Sequence, residues 1–171
     1  FLPDPAQRFR LTCYATVYAD PTTGENGTFE FVLPNNKQVT IDANGVDLET
    51  KLQTYNQLEY TTDYVYLFHK TDKLVYIFKR NVYGEHHGQL RYIQDRNGNQ
   101  LTFSYDENDV LTRIANDWGY QLNFLYKSYT YNWHEKPYTD RVLDTITDQN
   151  GRTLSFAYDE NASDNGEILT L

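Results

Sequence analysis

Residues 90–126 read LRYIQDRNGNQLTFSYDENDVLTRIANDWGYQLNFLY, and they decide the fold because one pattern occurs in them twice. At an offset of 21 residues, Leu90 falls on Leu111, Ile93 on Ile114, Asp95 on Asn116, Gly98 on Gly119, Leu101 on Leu122, Phe103 on Phe124 and Tyr105 on Tyr126. Within each copy the large residues recur at every second position, Leu-x-Phe-x-Tyr. That spacing puts them on one face of a strand, whereas a helix would spread them around its axis. The preceding Asp-x-Asn-Gly or Asn-Asp-Trp-Gly is turn chemistry: the Asx side chain bonds its own backbone and Gly supplies a positive φ. Each copy is therefore a β-hairpin, and its repetition predicts an all-β stack of successive antiparallel hairpins.

A third copy, LDTITDQNGRTLSFAYD, begins at Leu143, 32 residues after the second, because YKSYTYNWHEKPY and its flanks interrupt the spacing. The repeats divide as 90–110, 111–142 with this insertion, and 143–167 expanded at its end, with another unit starting at 168. Stacked copies predict shared rows, Leu101 with Leu122 and Leu154, and Phe103 with Phe124 and Phe156. Burial of each such side chain is worth roughly 1.5–3 kcal/mol.

Residues 1–89 form a strand-rich leader. Phe9–Tyr18 alternates; Phe29, Phe31 and Leu33 with Val39 and Ile41 frame a hairpin around 34–37; Tyr64, Tyr66 and Phe68 alternate before HKTDK and Leu74, Tyr76 and Phe78 after it, giving a hairpin of two short strands of matched length. The run VDLETKLQTYNQLEYTT fits a short helix or a strand and loop equally well.

The chain has 171 residues, 16 Tyr and 9 Phe, too aromatic for disorder. Its net charge of -9 disfavours a nucleic-acid surface. No apolar run reaches membrane-spanning length, and the absence of Met points to a segment of a longer protein.

Chemistry-bearing residues are sparse. Asp95, Asn97 and Asn99 have the start of a calcium-loop spacing, with Asp106 at the twelfth position, but Gly falls fourth and the bidentate Glu is missing; an Asx turn is the better reading. The His residues lack ligand spacing, Cys13 in its alternating strand reads as a small buried hydrophobe, and the acidic residues cluster at turns. No metal, cofactor or catalytic set is expected. Two Asn-x-Ser/Thr acceptors, at Asn26 and Asn161, are informative only in a secreted eukaryotic parent. The insertion is the one recognition feature: Tyr129, Tyr131, Trp133 and Tyr138 either cap the sheet or form a sugar-stacking or protein-contact patch.

DRNGNQLTFSYDENDVLTRI and TDQNGRTLSFAYD resemble the YD-repeat unit of Rhs, teneurin-like and toxin-complex proteins. Asp148, Gly151, Arg152, Tyr158 and Asp159 match its motif most fully, as do Asp95, Gly98, Tyr105 and Asp106. Gly119 and Tyr126 carry the register through the second copy, where Asn116, Tyr120 and Lys127 depart from it; Asp109 stands at a usual Gly position. The resemblance implies a curved, spiralling sheet that forms part of a hollow β-shell. It gives these residues a structural role, without catalysis, in enclosing or presenting a C-terminal toxin polypeptide. The implied partners are the rest of the shell and the toxin, and the implied location is secreted or cell-surface as part of a larger protein, cytoplasmic before export. The alternative is an extracellular adhesion or carbohydrate-binding β scaffold that uses residues 129–138, with a glycan as partner.

Overall fold

The computed structural model describes residues 14–17, 29–32, 38–42, 46–50, 55–61, 63–79, 87–133, 136–158 and 168–170. Cys13, His86, His134, Asp159 and both glycosylation acceptors lie outside them. The described elements are β1 (Tyr14–Val17), β2 (Phe29–Val32), β3 (Gln38–Ile41), β4 (Tyr55–Tyr60), β5 (Tyr64–His69), β6 (Leu74–Lys79), β7 (His87–Gln94), β8 (Gln100–Tyr105), β9 (Leu111–Asn116), β10 (Gln121–Trp133), β11 (Lys136–Asp148), β12 (Thr153–Ser155), β13 (Ala157–Tyr158) and β14 (Ile168–Thr170). All are strands, in antiparallel pairing. Two compact units divide within β8, one covering Thr12–Phe103 and the other the described residues from Ser104 on.

In the first unit β7 is the hub. It pairs with β1, β6 and β8; β1 leads through β2 to β3, and β6 through β5 to β4. The hairpin framed by Phe29 and Ile41 is present, with Phe29 opposite Ile41 and Phe31 opposite Val39. The ambiguous run contains strand β4, preceded by a turn in which the buried Asp47 carboxylate accepts the N–H groups of Glu49 and Thr50. On β5 the buried register is Val65 and Leu67; the predicted row Tyr64, Tyr66 and Phe68 is half-buried. Aliphatic side chains have no polar atom to satisfy inside, whereas Tyr keeps its hydroxyl toward water. Tyr64 contacts Tyr66 and Tyr92 at ring distances of 6.4 and 6.2 Å. On β6 the consecutive Tyr76, Ile77 and Phe78 are all buried, as in a strand covered on both faces.

The second unit is a meander of β9 to β12. Ile114 faces Leu122, and Phe124, Ile146 and Leu154 lie in one lateral row. Phe124 is buried, but Leu122 and Leu154 are 40% and 44% exposed, and Leu101 in the other unit is 40% exposed. The Leu row is thus outside the core, because an open single layer covers only the middle of its strands. The third copy also breaks: Phe156 falls between β12 and β13, and β13 pairs with β14 in a separate two-stranded sheet.

This break corrects the hollow-shell expectation. The strand order β12-β11-β10-β9-β8-β7-β1-β2-β3 is an open path that does not return on itself. A closed sheet needs every edge strand to find a partner; here β12 and β3 end the order, and β13 and β14 pair in a sheet of their own.

Five loops share one construction, at 42–46, 95–99, 106–110, 116–120 and 148–152. In each, the first residue's N–H donates to the carbonyl of the fifth, and its side-chain oxygen accepts the fifth residue's N–H, all at 2.9–3.0 Å. In the last four loops the fourth residue is left-handed: Gly98, Gly119 and Gly151, but Asp109, with φ 60°, in the third. Asp tolerates this region better than most side chains because it is short and bonds locally.

Candidate functional site

The second hairpin of the meander outgrows its neighbours. β10 pairs with β9 only through residues 121–123, and β11 with β12 only through 145–147, yet β10 and β11 stay paired as far as Trp133 opposite Lys136. From Tyr126 opposite Leu143 outward they form a two-stranded ribbon with no further strand pairing among the described residues. Its sequence is rich in Tyr, Thr and Trp, which favour extended backbone. Pro137 is exposed and has no N–H to offer an added strand.

At the ribbon's base Leu125 pairs with Thr145 and Tyr126 with Leu143, so Asp144 is the extra residue of a β-bulge. The bulge is locked from one face. Lys127 Nζ lies 3.0 Å from Asp144 Oδ1 and 5.5 Å from the centre of the Tyr158 ring, and the Phe156 N–H donates to the Asp144 carbonyl at 2.9 Å. The Tyr158 hydroxyl donates to the Leu143 carbonyl at 2.6 Å, and its ring packs on Tyr129 at 5.4 Å. Burial, with the nearby Asp144 charge, pushes the Tyr158 phenol up. The other face holds a second clamp: Arg141 Nη1 donates to Asp106 Oδ2 at 2.6 Å while its guanidinium lies over the Tyr126 ring at 5.6 Å. Burial pushes the Asp106 carboxyl up, but the Arg141 hydrogen bond and the N–H groups of Val110 and Asn108 outweigh it and hold the carboxyl below its ordinary value.

Alternation makes the ribbon two-faced. Ser128, Thr130, Thr139 and Arg141 share one face, where the Thr130 and Thr139 hydroxyls meet at 2.8 Å. Positions 129, 131, 133 and 138 share the other, with Tyr131 directly opposite Tyr138. The four recognition candidates therefore fall together by register. Tyr129 is 8% exposed beneath Tyr158 and belongs to the packing; positions 131, 133 and 138 lie farther along the ribbon by register.

The repeat-motif residues sit elsewhere. Asp95, Gly98, Asp106, Gly119, Asp148, Gly151 and Arg152 are in the five-residue loops, Tyr105 ends β8, and Tyr126 stands at the ribbon's base. The Asn99 side chain, with the Asn97 and Asn99 N–H groups, outweighs burial and lowers the Asp95 carboxyl. At Asp148 burial raises, but the Arg152 N–H and guanidinium, the latter at 2.6 Å, lower it further. Sequence reasoning missed the Lys127–Asp144–Tyr158 lock and the Arg141–Asp106 clamp, since partners 17 to 35 residues apart leave no periodic trace. It also passed over Trp118 and Tyr120, both well exposed on the 116–120 loop. Two aromatics flanking a turn Gly were the available signal.

Among the described residues no group of His, Cys, Asp and Glu side chains forms a metal-holding set, and no helix is long and apolar enough to cross a membrane. Neither the family comparison nor the search of curated proteins finds a match for this chain. With the open sheet, that result overturns the YD-repeat resemblance and the toxin-enclosing role drawn from it. The hairpin repeat stands as a local property of the sequence, without the family attached.

Proposed function

We propose that this chain is an extracellular carbohydrate-binding β scaffold of the adhesion type, acting by binding alone. The observation that carries the reading is the ribbon, whose register brings the aromatic positions 129, 131, 133 and 138 onto one face. Tyr and Trp suit a sugar because a flat ring meets the C–H face of a pyranose while the hydroxyl or indole N–H meets its oxygens, at the entropy cost of few rotors. The lock at Asp144 and the clamp at Arg141 hold the ribbon's base on both faces, which limits the ordering cost on binding. Residues 126–143 carry three basic and two acidic side chains, nearly neutral in a chain of charge -9, which favours a neutral ligand over a polyanion.

A glycan array on the wild-type chain, with calorimetry on each hit, tests this. The expected result is a ligand bound tighter than about 1 mM, near -4.1 kcal/mol, with the Tyr131→Ser, Trp133→Ser, Tyr138→Ser triple variant losing at least one binding site per chain while its circular dichroism spectrum is unchanged. Absence of any glycan ligand, or a stoichiometry and affinity unchanged by the triple variant, refutes the reading.

A further inference from the structure

We infer that the loop 116–120 and the adjoining sheet face form a second saccharide subsite, built on Trp118 and Tyr120 beside the Asp148–Arg152 pair. This inference deepens the carbohydrate reading and takes its ligand class from it. Trp118 and Tyr120 are 67% and 61% exposed, and neither ring has a hydrogen bond or ring contact among the described residues. Large rings left in water at a turn do little for folding. Their backbone is nonetheless fixed: the Asn116 side chain accepts the N–H of Trp118 and of Tyr120, both at 3.0 Å, and Gly119 supplies the left-handed residue between them. The rings are thus exposed on a rigid base, an arrangement that serves stacking better than packing.

Polar groups adjoin them. Tyr120 immediately precedes β10, two residues before Leu122, and Leu122 lies directly opposite Asp148, so continuing the strand's alternation puts Tyr120 on the sheet face of Leu122 and Asp148, two residue pairs along. Asp148 Oδ2 accepts the Arg152 Nε–H at 2.6 Å, which leaves the two terminal nitrogens of an 80% exposed side chain without a partner among the described residues. Arg152 is neutralised by Asp148, and Asp117 lies in the same loop, so the patch has no cationic surplus for an acidic sugar. Paired donors and acceptors beside apolar rings match the alternating hydroxyl and C–H surface of a neutral hexose, and the occupant is a neutral oligosaccharide.

The chain has two tryptophans, Trp118 here and Trp133 in the ribbon, so single-tryptophan variants read the two sites separately. The full chain carrying Trp133→Phe is titrated with cellohexaose, laminarihexaose and chitohexaose, following Trp118 emission, with a galacturonic acid hexamer as the acidic comparison. The expected result is a saturable change with a neutral hexamer, weakened about 3- to 10-fold by adding Arg152→Ala, the loss of a typical hydrogen bond. A silent Trp118 at concentrations to about 10 mM, or a response to the acidic hexamer alone, overturns the subsite. The Trp118→Phe chain reports the ribbon by itself: a response there with Trp118 silent refutes this inference and keeps the ribbon reading, while the reverse refutes the ribbon and keeps the subsite. Should Trp133→Phe fail to fold, calorimetry decides by stoichiometry. Trp118→Phe is expected to bind fewer neutral hexamers per chain than wild type, and an equal number overturns the inference.

Discussion

Tyr129 separates packing from recognition, and truncating it to Ala is the sharpest test of the ribbon's anatomy. The side chain is 8% exposed and shares a tilted ring contact with Tyr158. A buried aromatic removes about 150–250 Å² from water, which at about 25 cal/mol per Å² gives an upper bound of about 4–6 kcal/mol. Relaxation of an open layer lowers this toward the bottom of the Phe-to-Ala range, about 3 kcal/mol. Tyr158→Phe, which keeps the ring and removes the donor to the Leu143 carbonyl, is expected to cost about 1 kcal/mol. Replacing both Tyr129 and Tyr158 by Ala in a double-mutant cycle is expected to show a coupling of about 0.5–1.5 kcal/mol. Both tryptophans lie beyond Ser104, so urea melts followed by tryptophan emission report the second unit. A Tyr129→Ala midpoint unchanged from wild type, or a loss of glycan affinity without loss of stability, would show that Tyr129 faces the ligand and that its burial has been misread.

Three further outcomes follow from the geometry. Phe124→Ala is expected to lower the urea midpoint more than Leu122→Ala, because Phe124 is buried while Leu122 is 40% exposed; equal shifts would restore the Leu row to the core. The lowered Asp95, Asp106 and Asp148 carboxyls contribute stability that is fully present above the unfolded value, about 3.9, and lost as pH falls through the lower folded values. Acid titration by circular dichroism should therefore show Asp148→Asn keeping the loop at neutral pH, as Asn116 does, with a shallower acid limb. Asp109→Gly removes a side chain from a left-handed position and is expected to raise stability by about 0.5–1 kcal/mol, read from the melt midpoint.

How much was legible followed the range of the interactions. The five-residue loops lie within five consecutive residues, so Asp-x-Asn-Gly announced them, and Asn116 and Asp109 were readable as tolerated variants of the same bonds. The β5–β6 hairpin was legible in length and pairing but not in face, since Tyr-Val-Tyr-Leu-Phe alternates equally well either way and only packing selects Val65 and Leu67 as the inner row.

Sequence by itself determined that the repeats from Leu90 on are strands, that hairpins follow one another, where the loops reverse, and that aromatic residues concentrate between 126 and 138, because alternation and turn chemistry act between near neighbours. Tertiary structure alone decided that the ladder stays open, that Asp144 bulges out, that Tyr158 returns to cover Tyr129, and that Trp118 and Tyr120 remain in water. Each of these depends on which distant strand comes to lie against a face or an edge, and a periodic pattern specifies the face of a strand without specifying what covers it.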